Sequence, residues 1–249
     1  MSGSSGNNGV AGSGSFATTQ WSVVLRAGGK DDPSCAAALA DLCRSYWYPL
    51  YAYVRRRTGN VHTAQDLTQD FFASIVERNV VALAVPERGK FRAFLLTSLR
   101  NFLANAHERD IAQKRGGHLA ALSLDFDVGE SRWSLEPTCD ETPERVFERD
   151  WALSLLETVL QRLRAEFVIA GKEHQWKFLQ PSLTGGRSEK FSYADLATEL
   201  GISEDAARQT ALRFRRRYRE LLREEVSRTV ADDEDVDEEI RGLFSALGS

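Results

Sequence analysis

Six arginines fall between Arg208 and Arg219, inside the stretch ISEDAARQTALRFRRRYRELL that runs from Ile202 to Leu222. No Asp or Glu interrupts them. The chemistry this density suits is the holding of a polyanion, because guanidinium groups bind phosphate in bidentate fashion and stay charged. One helix must carry them. Ser203 is an N-cap residue, and Glu204 and Asp205 sit in the first turn, where carboxylates favour the positive helix end. Ala207, Ala211, Phe214, Tyr218 and Leu221 recur at helical spacing and form a narrow buried stripe. The arginines cover the remaining circumference.

Catalytic constellations are not legible elsewhere. The sequence has no nucleophile–base pair, no phosphate-binding glycine loop and no metal-ligand spacing. Glu173 stands beside His174 with no partner specified. Cys35, Cys43 and Cys139 form no CxxC pair, and the four histidines are far apart. No enzyme activity, metal or cofactor is therefore expected. The net charge of the 249-residue chain is −4, so it is not a nonspecific nucleic-acid binder as a whole. Its charge is segregated instead, with base at 208–219 and acid at 232–239. No apolar run reaches the ~20 residues of a membrane span. Residues 1–15, rich in Gly and Ser, read as a flexible tail without the features of a signal peptide. A cytoplasmic protein is the expectation.

The elements that must position the arginines are helices. The segment SYADLATEL carries Tyr193, Leu196, Ala197 and Leu200 inward, and GIS then turns the chain into the arginine helix. Two helices joined by a tight turn with Gly201 form a helix-turn-helix signature. The second would enter a major groove with its first half. Ser203, Asp205, Arg208, Gln209 and Thr210 face outward there and suit base edges or phosphates. Arg213, Arg216 and Arg217 lie further along and suit phosphates.

Upstream, helical spacing recurs and sustained alternation does not. A helix begins near Pro33 and ends at Gly59. A second, with Thr63 as its expected N-cap, carries Leu67, Phe71, Ile75 and Val76. A third runs from Phe91 to about Lys114. From 116 to 141 the pattern dissolves into an acidic stretch with Gly and Pro, read as a linker. Thr142-Pro143-Glu144 restarts a helix, with Val146, Trp151, Leu155, Leu156, Val159, Leu160 and Leu163 along it. The fold class is all-α: two small helical domains, 16–115 and 142–230, with an acidic extension at 231–249.

The blocks together resemble a bacterial RNA polymerase sigma factor of the extracytoplasmic-function type, in particular the long branch common in planctomycete-type bacteria. YWYPLYAYVRRRTGNVHTAQDLTQDFFASIVE resembles regions 2.1–2.2, KFRAFLLTSLRNFLANAHERDIAQKRGG regions 2.3–2.4, and FSYADLATELGISEDAARQTALRFRRRYRELLREE region 4.2. The resemblance implies core RNA polymerase, through its β′ coiled coil and β flap, and promoter DNA as partners. Gln65, Asp66, Gln69, Asp70 and Phe72 would dock on the coiled coil, with Gln65 standing where many members carry Glu. Arg88, Lys90, Arg92, Arg100, Asn101, Asn105, Arg109, Lys114 and Arg115 would hold the melted −10 strand, which needs cations for its backbone. Residues 203–217 would read the −35 element. The acidic linker would thread the RNA-exit path. An anti-sigma factor or a Ser/Thr kinase acting at Thr68 are further candidate partners, and the acidic run at 232–239 would shield the region 4 arginines. The competing reading is a stand-alone helix-turn-helix regulator of duplex DNA.

Overall fold

A computed structural model describes residues 33–77, 90–109, 124–135, 141–184, 191–230 and 233–248, with the backbone alone at 33–44, 76–77, 107–109, 184 and 233. The tail at 1–15 lies outside the described residues. Regular structure among the described residues is helical, with no strand. In chain order the helices are α1 (Pro33–Thr58), α2 (Val61–Glu77), α3 (Phe91–Arg109), α4 (Phe126–Ser134), α5 (Pro143–Ile169), α6 (Glu173–Leu179), α7 (Tyr193–Leu200), α8 (Glu204–Ser227) and α9 (Val236–Leu247). The all-α expectation holds.

Local sequence explains most boundaries. Gly59, at φ 68°, ends α1 in the left-handed region that glycine enters without penalty. The Asn60 side chain then accepts a hydrogen bond from the Thr63 backbone N–H at 3.0 Å. The cap of α2 is thus Asn60, not Thr63, and the helix starts earlier than the pattern suggests. Thr142 caps α5, with Pro143 at its first turn. Ser192 caps α7.

The core is one continuous cluster running through both halves of the chain. Tyr46, Tyr51, Tyr53, Phe71, Phe72, Phe91 and Phe147 are all less than 2% exposed. Each such burial contributes roughly 1.5–3 kcal/mol relative to an exposed side chain. Helix α1 packs against α2 and, over a longer contact, against α5. Helix α5 serves both halves. Near its start Glu144 accepts a hydrogen bond from Tyr53 on α1. Near its end Phe167 meets Trp176 of α6 and Phe214 of α8, with ring centroids 5.4–6.0 Å apart in the three-ring cluster.

Two helices lie outside the two domain ranges read from the sequence. Residues 126–134, inside the stretch read as linker, form α4. Asp125 caps this helix by accepting from the Val128 N–H. Phe126 packs on Trp47 and Tyr51 of α1. A Cβ on Gly129 would lie 3.0 Å from the Trp47 ring, so glycine permits the close approach. Glu130 accepts hydrogen bonds from Tyr51 and Arg55. Few apolar residues are needed when ring packing and two ion pairs, Arg55–Glu130 and Arg132–Glu157, seat so short a helix, which is why no stripe announced it. The second is α9, which packs on α5 and α8. Val236, Glu239 and Leu243 form its buried edge, while Phe244 is exposed at the margin.

Candidate polymerase and nucleic-acid interfaces

Helix α2 presents Asp66, Gln69 and Asp70 to solvent, with Gln65 partly covered beside them. These positions are adjacent on one helical face. Partial burial pushes the Asp70 carboxyl above its ordinary range, and the neighbouring Asp66 charge adds to the effect. The face therefore concentrates negative charge that a basic partner would relieve. Phe72, expected as an apolar anchor for a partner, is 1% exposed and stacks against Phe71. It belongs to the core, because its position turns it toward the bundle rather than toward solvent. Thr68 is fully buried and its hydroxyl has no hydrogen-bond partner among the described residues. A kinase has no access to Thr68 in this fold, so the modification site read from the sequence is corrected.

Helix α3 exposes Ala93, Thr97, Arg100, Asn101, Ala104 and Asn105, which make a continuous polar stripe with two small residues in it. Phe91 is buried, and Phe102 packs on Phe71 at 5.5 Å between centroids. The cations at the start of the helix are placed differently from Arg100. Arg92 is only 8% exposed. It donates to Glu148 at 2.7 Å, pairs with Glu239, and its guanidinium lies 4.1 Å from the centroid of Trp151. Lys90 lies 2.9 Å from Glu239 and 3.5 Å from Glu238. Arg88, Lys114 and Arg115 lie outside the described residues, as does the side chain of Arg109.

The turn between α7 and α8 is built as the sequence demands. Gly201 adopts φ 63°, its N–H donates to the Thr198 carbonyl, and the Ile202 N–H donates to the Ala197 carbonyl. Ser203 caps α8 by accepting from the Ala206 N–H at 3.3 Å. Ala207, Ala211, Phe214 and Leu221 are buried, and Tyr218 is partly buried. Ser203, Asp205, Arg208, Gln209, Arg213 and Arg216 are exposed, with Thr210 and Arg217 partly so.

The arginines of α8 are not equivalent. Arg208 pairs with Glu204 at 2.5 Å and lies 5.0 Å from the Tyr193 ring centroid, while Arg216 pairs with Glu220 at 3.0 Å. Both pairs are short-range and solvent-exposed. Arg217 donates to Glu166 of α5 at 2.6 Å and lies within 3.4 Å of Glu220 and Glu224. Those hydrogen bonds hold the Glu166 carboxyl below its ordinary range and raise the Arg217 guanidinium further. Arg217 thus ties α8 to α5 rather than standing free for phosphate. Its carboxylates come from outside the 208–219 window, so inspecting that window alone misses them. Arg215, not among the expected contacts, donates to the Ser182 carbonyl and to the Tyr193 hydroxyl, each at 3.0 Å.

Residues 42–110 match the family model for sigma-70 region 2. This segment is similar to sigma-70 region 2. The match spans the later part of α1, all of α2 and all of α3, so region 2 contains both the acidic face and the polar stripe. It supports a sigma-70 family sigma factor, with a role in RNA polymerase binding and promoter recognition. No curated protein and no solved structure matches the chain. Among the described residues no helix is long and apolar enough to cross a membrane, and no three potential metal ligands gather.

Proposed function

We propose that the chain is a non-enzymatic sigma factor of the extracytoplasmic-function type, of the long branch that resembles those of planctomycete-type bacteria, acting in the cytoplasm. The observation that carries this reading is the pairing, within one region 2 segment, of an acidic face on α2 with an exposed Arg–Asn stripe on α3. Asp66, Gln69 and Asp70, flanked by Gln65, dock on the β′ coiled coil of core polymerase. Arg100, Asn101 and Asn105 hold the −10 strand, joined by Lys90, and by Arg92 beside its Glu148 pair, once Glu239 leaves them. Residues 16–115 and 142–230 are the two functional domains.

The capped α7–turn–α8 unit supports a −35 role, with Ser203, Asp205, Arg208, Gln209 and Thr210 toward base edges and Arg213 and Arg216 on phosphates. Helix α4 seats part of the inter-domain segment on α1, so threading that segment through the RNA-exit path requires α4 to leave its seat. The β flap and an anti-sigma factor remain candidate partners on chemistry alone. The test is transcription in vitro by core polymerase on a promoter library, with and without the protein. Promoter-specific initiation is expected. Tight duplex binding by a dimer with no affinity for core polymerase would instead establish a stand-alone regulator.

A further inference from the structure

The acidic C-terminal segment does not lie where its charge suggested. The α8 arginines between 208 and 219 take their carboxylates from Glu204, Glu220, Glu224 and Glu166. The carboxylates of α9 go elsewhere. Glu239 is 1% exposed, and its carboxylate bridges Lys90 and Arg92 at the start of α3. Glu238 makes a second contact to Lys90. One turn on, Gly242 faces the same cations. A Cβ there would sit 3.6 Å from a guanidinium nitrogen of Arg92 and 3.8 Å from Nζ of Lys90. Val236 and Leu243 bury the adjoining edge, and Asp237 pairs with Arg223 of α8.

We propose that α9 is an intramolecular latch that occupies the Lys90–Arg92 end of region 2 and excludes a nucleic-acid backbone from it. A carboxylate and a phosphate compete for the same donors, since both accept charge-assisted hydrogen bonds from Lys and Arg. The latch presents more than competition. Glu238, exposed and 3.5 Å from Lys90, sets a second negative charge beside the covered cations and repels an approaching phosphate. Among the described residues both carboxylates on Lys90 belong to α9, so release of α9 takes both away. Arg92 keeps Glu148 in either state. A buried ion pair is a weak source of net stability but a strong determinant of arrangement, which suits a reversible closure. Because binding and closure are linked, a strand that holds Lys90 must lower the population of the docked helix, and the docked helix must lower the strand's affinity by the same factor.

This inference rests on the reading of Lys90 and Arg92 as backbone contacts, and the experiment separates the two. Full-length protein is titrated into a short fluorescein-labelled single-stranded DNA at fixed low salt, with anisotropy as the readout. E239Q removes the bridging charge. G242K keeps every carboxylate, sets a like charge against Lys90 and Arg92, and replaces glycine with a better helix former, so α9 itself is not weakened. Each variant is expected to bind about tenfold more tightly, by restoring the binding-competent fraction. Hydrogen exchange at 236–247 should accelerate while exchange in α1 and α5 is unchanged. Adding K90A to either variant should cancel the gain. Unchanged affinity in both variants, while the wild-type protein still programmes core polymerase, overturns the latch and leaves the sigma reading intact. A K90A addition that costs the released variants nothing removes Lys90 from the DNA contacts, and the latch falls with it.

Discussion

The cations at the start of α3 and those along α8 answer to opposite rules. Arg92 is buried, and its carboxylates come from 56 residues away on α5 and from α9. Arg208 and Arg216 are exposed, and each pairs with a glutamate four residues off on its own helix. Exposed pairs at helical spacing contribute roughly 0.3–0.5 kcal/mol and are readily exchanged for phosphate. A buried pair between distant elements instead couples a cation to the tertiary structure. Arginine density in sequence therefore signals availability only where the partners are local.

The sharpest break between the two sites comes from truncating each cation. Arg92→Ala leaves Glu239 and Glu148 facing a lost partner and is expected to destabilise the fold by about 3–5 kcal/mol in chemical denaturation. Arg208→Ala should leave stability nearly unchanged, since its pair is exposed, while weakening duplex affinity and flattening its salt dependence. Equal stability losses in the two variants would erase the contrast.

Arg217 is the intermediate case, exposed in part yet tied to another helix. Glu166→Gln should cost about 1 kcal/mol at pH 7, after allowance for solvent screening at a side chain 42% exposed. The folded-state pKa of Glu166 is depressed, so its contribution is present above the ordinary glutamate value of 4.5 and fades as pH falls through the lower folded value. The wild-type and variant denaturation midpoints should converge as pH falls below the ordinary glutamate value and through the lower folded one. A constant gap across pH would show that the link is not ionic.

Smaller effects are expected on α2. Asp70 has a raised pKa, so its charge costs the free protein stability above that pKa, and the cost eases as pH falls. Asp70→Asn should therefore raise the denaturation midpoint slightly while reducing core polymerase affinity in a pull-down titration. Loss of both together would mark the residue as structural. Smallest of all, Thr68→Val replaces an unpartnered buried hydroxyl by a methyl of similar shape and should be neutral or mildly stabilising. A clear loss of thermal stability would reveal a hydrogen bond to the Thr68 hydroxyl.

Much of the fold was legible because local signals and burial agreed. Pro33, Gly59, Thr142, Gly201 and Ser203 mark boundaries that the structure keeps, since caps and left-handed stops act through neighbouring backbone atoms. The stripe Ala207–Ala211–Phe214–Leu221 is buried as its spacing demands. What escaped was long-range. Glu239 shares a helical edge with Val236 and Leu243, so its position on the buried side could be read from period alone. Its partners could not, because nothing in residues 236–247 refers to Lys90. Phe72 and Thr68 were misplaced for a related reason: a face is fixed by what packs on the helix, and packing by both α1 and α3 buries Thr68 and Phe72 beside Phe71, beyond the stripe that period alone marks.

Helix α5 carries a consequence for how the chain can be divided. The region 2 match stops at residue 110, yet α1 is covered by the first half of a helix that begins at Pro143. Phe147 and Trp151 belong to the core of one half by packing and to the other by sequence order. A fragment cut at the family boundary would strip that cover from α1 and leave a sticky aromatic face, prone to self-association. The smallest soluble piece bearing the polymerase-facing surface should therefore extend to about Leu155, well beyond the segment that the family pattern delimits.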